Sequence, residues 1–321
     1  MSDKFVYQNA RVKSMESTLF SSQSVGRLLD CTSVDAAFKA LTDMGFGSGA
    51  SVADGNFDAL FGVEEARAAE FLREFNADGA LDVFLAEYDF LNLKTAFKSS
   101  ITGKKPTEAP NGSYEFDEIK GWLAQDTKTD VPAHFVSAVS ELKSLAQSET
   151  VSPHKADCIV DKALYAYIFS TLKKSARLER RYFTIKADCA NIGAFLRCKR
   201  LGLSKAYFIE GFIEGGELDF LPSIYDASLD ALKEKCKRTE YGDWVIKAVD
   251  DGNLVGFEVA VDDALLKLFK DEKNDLFGIA PIVAFYLTKV TQIRVAKLAV
   301  AGIKNGVDQA KIKERMRELY A

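Results

Sequence analysis

Two aspartates stand three residues ahead of an asparagine in apolar, helix-like runs. They are Asp89 and Asn92 in EYDFLNLKTAFKS (87–99), and Asp188 and Asn191 in KADCANIGAFLRCK (186–199). Residues three apart share a helix face, so each pair presents its polar groups to one neighbour. Two kinds of chemistry suit that arrangement. A carboxylate held in a pocket with a raised proton affinity serves as an acid or base. A pair fully satisfied by hydrogen bonds serves instead to lock a packed neighbour in register. The structural role is the stronger reading, with the pair holding two otherwise slippery apolar helices. A degenerate third copy, KVTQIRVAKLAVAGIKNG (289–306), carries Gln292 at the acidic position and Val295 where the asparagine would be. Asp89 and Asp188 are 99 residues apart, and Asp188 and Gln292 are 104 apart. Copies spaced by about a hundred residues point to one helical unit used three times.

Other residue types able to do chemistry are sparse. GFGSGAS (45–51) is spaced G-x-G-x-G with no strand ahead of it, so it reads as a flexible interhelix loop rather than a dinucleotide loop. TGKKP (102–106) lacks the upstream glycine of a phosphate-binding loop and reads as a linker. His134 and His154 sit in no H-x-x-x-H and beside no cysteine, which argues against zinc. Cys31, Cys158, Cys189, Cys198 and Cys236 are scattered and odd in number. They fit buried thiols in a reducing compartment better than a disulfide framework. Two basic clusters stand out: Arg177, Arg180 and Arg181 with Lys173 and Lys174, and Arg197, Lys199 and Arg200 with Lys205. They form a solvated helix face or a candidate partner surface for an acidic protein. No catalytic residue, cofactor site or metal site is expected.

The elements that position these residues are helices. Segments 57–75, 131–147, 225–237 and 254–272 all carry apolar residues at three- and four-residue spacing. Pro132 lies near the start of the second, and Asp226 is a candidate N-cap for the third. From Ala156 to Leu201 there is no proline and only Gly193, which predicts one very long helix or two broken near Lys174 and Ser175. Loops are expected over 101–113 and 214–223, with breaks near 45–55 and 251–253. Strand signals are weak, and the fold class is all-α. The chain has 321 residues, a net charge of −5 and 47% hydrophobic residues. That is enough for two or three domains, and the acidic balance gives no nucleic-acid footprint. The longest uncharged apolar stretch, FGIAPIVAFYLT (277–288), falls short of a bilayer span. The N-terminus has no signal-like core. A soluble cytosolic protein, able to sit peripherally on a membrane complex, is expected.

The C-terminal block holds Pro281, Tyr286, Lys289, Gln292-Ile293, Lys297, Lys304-Asn305-Gly306 and Glu314-Arg315-Met316-Arg317 ahead of Tyr320. Together with Asp188, Asn191, Ile192, Arg197, Lys199 and Leu201-Gly202, with YDFLNLKTAFKS, and with the opening ARVKSMES, it resembles the C-subunit family of V-type and archaeal A-type ATPases, known as the d subunit in eukaryotes. Order and spacing along the whole chain carry the likeness. Gln292, Val295 and Val290 depart from the family pattern. The resemblance implies three similar helical units, 1–105, 106–213 and 214–321, in a funnel-like pseudo-threefold arrangement. It also implies a non-catalytic rotor part that links the D and F subunits of the central stalk to the proteolipid (c/K) ring at the cytoplasmic face. Such a part passes torque for H+ or Na+ transport and has no cofactor of its own. Two alternatives make different predictions. A scaffold of another complex would stack repeats shorter than about fifty residues. An enzyme using Asp89/Asn92 or Asp188/Asn191 would converge those groups in a pocket.

Overall fold

A computed structural model describes residues 5–124 and 130–317; Tyr320 lies outside them. The described residues form helices and connecting loops, with no strand among them. The chain divides into two compact units, the first formed by 1–81 with 258–321 and the second by 82–257.

The first unit opens with α1 (Val6–Met15), α2 (Ser22–Leu29), α3 (Val34–Asp43) and α4 (Phe57–Phe75). Side-chain caps set three of these starts: Ser21 in a capping box with Ser24, Ser33 on Ala36, and Asn56 on Ala59. The second unit runs α5 (Asp82–Thr102), α6 (Phe116–Leu123), α7 (Val136–Ala146), α8 (Pro153–Thr171), α9 (Arg177–Arg200), α10 (Lys205–Glu210), α11 (Leu221–Ile224), α12 (Leu229–Cys236) and α13 (Gly242–Asp250). Then α14 (Leu254–Lys270) carries the chain back into the first unit, which closes with α15 (Ala280–Lys304) and α16 (Gln309–Lys313).

Several sequence expectations are corrected. The 131–147 helix starts at Val136, because Phe135 N–H closes a tight turn onto the Pro132 carbonyl at 2.8 Å. Ser228, not Asp226, caps α12 through the Ala231 N–H, while Asp226 lies 3.5 Å from Lys205. The long run of 156–201 takes the second form expected of it, two helices, with the break at 172–176. There Leu172 turns extended and Arg180 donates to the Leu172 carbonyl at 2.9 Å, satisfying the end of α8. Among the described residues the last helix ends at Lys313. Beyond it the Arg317 guanidinium turns to Asp262 at 3.0 Å.

Three long helices, α5, α9 and α15, are buried on most of their faces, as expected of helices that form a core rather than cover one. They are the helices that carry the Asp/Asn pairs and the degenerate copy. In the first unit α15 packs against α1, α2, α3, α4 and α16 around Leu28, Leu41, Phe46, Leu60, Ala296 and Val300. In the second unit α8 lies along α5 with Lys94 2.6 Å from Asp161 and Lys98 2.7 Å from Asp157. An aromatic cluster of Phe90, Trp122, Phe135 and Tyr114 fills the space between α5 and α7.

Candidate functional site

Each polar pair grips a loop rather than a packed helix, which corrects the expectation from sequence. On α5, the buried Asp89 carboxylate accepts the Ser113 N–H at 2.9 and 3.1 Å and the Tyr114 N–H at 3.2 Å. One turn on, Asn92 accepts the Ala109 N–H at 2.9 Å and donates to the Ala109 and Pro110 carbonyls. On α9, Asp188 accepts the Glu217 N–H at 2.9 Å and the Leu218 N–H at 3.1 Å. Asn191 exchanges both bonds with Ile213, at 2.7 and 2.8 Å. The asparagine amide thus meets a loop residue as a neighbouring strand would.

The two clamps are copies. Asp89 reaches 24 and 25 residues ahead and Asn92 reaches 17, whereas Asp188 reaches 29 and 30 and Asn191 reaches 22. One five-residue lengthening of the second loop accounts for every difference. A glycine stands at the matching place in each loop. A Cβ on Gly112 would lie 2.3 Å from the Leu85 carbonyl and 2.6 Å from the Asp89 carboxylate; on Gly216 it would lie 2.1 Å from Asp188 Oδ1. The second clamp adds Tyr241, whose hydroxyl donates to Asp188 Oδ2 at 2.9 Å.

Burial governs the electrostatics. It pushes Asp89 up to about 6, against the downward pull of the Ser113, Tyr114 and Gly112 N–H groups. Burial likewise raises Asp188, opposed by the Glu217 N–H and then Tyr241. In the degenerate third copy, Gln292 is fully buried, and among the described residues both its amide atoms lack a hydrogen-bond partner and no clamp forms.

A second set of contacts joins α5 to α9 at equivalent positions. Phe84 packs against Phe183 with centroids 5.3 Å apart and the rings tilted by 45°, and Glu87 pairs with Lys186. Each pair is 99 residues apart, the spacing of the clamps. Burial depresses the Lys186 ammonium, and Glu87 beside it more than reverses the effect.

The basic residues separate into two groups. Arg180 caps α8, Arg181 pairs with Glu217 and Glu240, and Lys199 donates to the Tyr225 and Ala227 carbonyls at 2.9 Å. Arg177, Arg197 and Arg200 are exposed. His154 lies 3.5 Å from the Cys158 thiol, one helical turn away on α8 and so invisible to a pattern of adjacent residues. Burial holds that thiol up at about 11, so it is not a thiolate. No group of three or more His, Cys, Asp or Glu among the described residues is placed to hold a metal. A cavity of about 760 Å³ in the first unit is lined by Glu64, Arg67, Phe285 and Lys289 and by no clamp residue. No described helix is long and apolar enough to cross a membrane.

Fold and site define an all-helical protein in which a core helix with a loop clamp is used repeatedly and the buried polar groups hold backbone. The chain belongs to the ATP synthase (C/AC39) subunit family, which matches residues 8–315. Its relatives include the C subunit of the A-type ATP synthase of Pyrococcus abyssi, 23% identical over 340 residues that cover 98% of this chain and 90% of the relative. The C subunit of the V-type sodium ATPase of Enterococcus hirae is 22% identical over 277 residues, covering 83% of this chain and 84% of the relative. The chain is therefore a non-catalytic subunit of a rotary, membrane-associated ATPase complex of the A/V type.

Proposed function

We propose that this chain is the central-stalk component that links an axle of D and F subunits to the proteolipid (c/K) ring. It sits peripherally at the cytoplasmic face and passes torque for H+ or Na+ transport coupled to ATP. The observation that carries the reading is the meeting of α5 and α9 at equivalent positions, with each helix fixing its own loop through a buried clamp. A torque adaptor must resist twisting, and helices locked to their loops by paired polar groups leave few soft joints.

The three-unit arrangement, 1–105, 106–213 and 214–321 around a pseudo-threefold axis, is part of the same proposal. An equivalence within the two units supports it. Lys94, five residues past Asp89, reaches Asp161 on α8; Lys297, five residues past Gln292, reaches Glu65 on α4 at 2.6 Å. Of the basic residues, the exposed Arg177, Arg197 and Arg200 are the ones that face a partner, whereas Arg180, Arg181 and Lys199 brace the surface from within.

The test is removal of this component from the assembled complex. ATP hydrolysis should persist while ion transport is lost, and the purified chain should retain a D–F heterodimer on co-purification. Normal coupling without it would end the proposal.

A further inference from the structure

Three residues before the aspartate of each clamp stands a buried apolar residue, Ala86 on α5 and Ile185 on α9. The equivalent place on α15, three before Gln292, holds Lys289. A unit built twice with an apolar residue at this place does not need a lysine there for packing. Lys289 is half-buried; its ammonium donates to the Thr18 carbonyl at 3.2 Å and lies 5.7 Å from the centre of the Phe285 ring. Burial lowers its proton affinity, with Glu64 acting in the opposite direction and Arg67 in the same one. Glu64 is already engaged: its Oε1 takes Arg67 at 2.6 Å and the Gly47 N–H at 2.9 Å. Among the described residues Lys289 makes no ion pair.

Lys289 lines the cavity of about 760 Å³ in the first unit, a volume that suits a small organic ligand. Leu19, Phe20, Phe46, Phe71, Phe285 and Ile293 supply its apolar wall. The rings form two pairs, Phe20 with Phe46 and Phe71 with Phe285, each with centroids 5.0 Å apart. The buried and half-buried charges of the lining are Glu64, Arg67 and Lys289, which leave one positive charge uncancelled. The exposed ones are Asp43, Glu70 and Glu74 against Arg27. A polyanion is repelled by those exposed acids. A single carboxylate on an apolar body meets Lys289 and buries its body against the rings.

We propose that this cavity binds an amphipathic monocarboxylate of the medium-chain fatty-acid type, with the carboxylate on Lys289 and the tail against the aromatic wall. Such an acid supplies the partner that a desolvated ammonium otherwise lacks. The site lies wholly within the first unit and is separate from the torque reading, so either can fail without the other.

The full chain is titrated calorimetrically with decanoate, octanoate, inorganic phosphate and ATP. Decanoate should bind saturably at one site per chain. Octanoate should bind about tenfold more weakly, because two methylenes are lost from the apolar wall. Phosphate and ATP should not bind. Lys289→Met should weaken decanoate binding roughly tenfold or more, yet unfold at no lower temperature than the parent, since the equivalent residues on α5 and α9 are apolar. Ala68→Leu puts added methyl groups into the cavity from a buried lining position on α4; it should weaken binding by a similar roughly tenfold factor. Lys39→Glu, an exposed lysine on α3, should leave binding unchanged. Unsaturable binding, an affinity independent of chain length, equal binding of phosphate or ATP, or parental affinity in Lys289→Met would overturn the inference. So would a Lys289→Met chain that is less stable than the parent, because the lysine would then belong to the fold.

Discussion

Asp188 takes its hydrogen bonds across a gap that only a glycine leaves open. Gly216→Ala would drive a methyl to 2.1 Å from the carboxylate oxygen, and the clamp would have to open, at a cost of about 3 kcal/mol. Gly26→Ala makes the contrast. It lies inside α2 with nothing within 4 Å and should stabilise by about 0.5–1 kcal/mol through the unfolded chain. Urea denaturation of the two variants checks both signs. Asp188→Ala removes the acceptor for two N–H groups and the Tyr241 hydroxyl, and should cost about 3 kcal/mol or more. Asp89 gives the pH signature. Its carboxyl titrates from 3.8 in the unfolded chain to about 6 in the fold. Between those values the folded state holds a proton that the unfolded state has lost. Stability therefore falls as pH rises from about 4 to 6 and is flat above, with a span of about 3 kcal/mol. Asp89→Asn keeps an acceptor for the Ser113 and Tyr114 N–H groups and should lose this part of the pH dependence. Identical pH profiles for variant and parent would show that Asp89 ionises normally.

At the scale of elements, the contact of α5 with α9 depends on a charged pair. Glu87→Ala strands Lys186 among Tyr182, Phe183 and Tyr165. The expected loss is about 1–3 kcal/mol, below that of a fully buried pair because both side chains keep some exposure. Adding Lys186→Met should recover most of it, and a double-mutant cycle measures the coupling. Additive losses would show that the pair contributes nothing. The helices themselves were legible in the sequence: 57–75 is α4 to the residue, and the break between α8 and α9 falls where Lys174 and Ser175 marked it. The partners of Asp and Asn were not. Periodicity shows which face a residue occupies, and it cannot show that a loop 17 to 30 residues downstream folds back onto it. Gly112 and Gly216 were a usable signal, since each falls at the same offset from its aspartate once five residues are allowed for. Tyr241, 53 residues from Asp188, had no such marker.

For the whole molecule, the degenerate copy tests whether a repeated unit is kept where its clamp is gone. Gln292 sits at the acidic position, fully buried, with neither amide atom paired among the described residues. A buried amide without partners is a cost, so Gln292→Leu should be neutral or stabilise by about 1 kcal/mol. Asn92→Leu should destabilise by about 2–3 kcal/mol, because it abandons the Ala109 N–H. The same change of polarity within equivalent helices thus has opposite signs, and thermal unfolding distinguishes them. The repeat spacing made the copies visible in the sequence, and Val295 showed that the third was impaired. Which helices pack on which followed only from the fold. If the chain transmits torque as proposed, a slack clamp should emerge in the assembled complex as lost coupling and not as lost hydrolysis, since this component supplies no catalytic group. Complexes carrying Gly216→Ala should hydrolyse ATP at the parental rate while moving fewer ions per ATP, measured by ion uptake into reconstituted vesicles. An unchanged ratio in a variant shown to be destabilised would separate the clamp from the mechanics and leave it a device for folding alone.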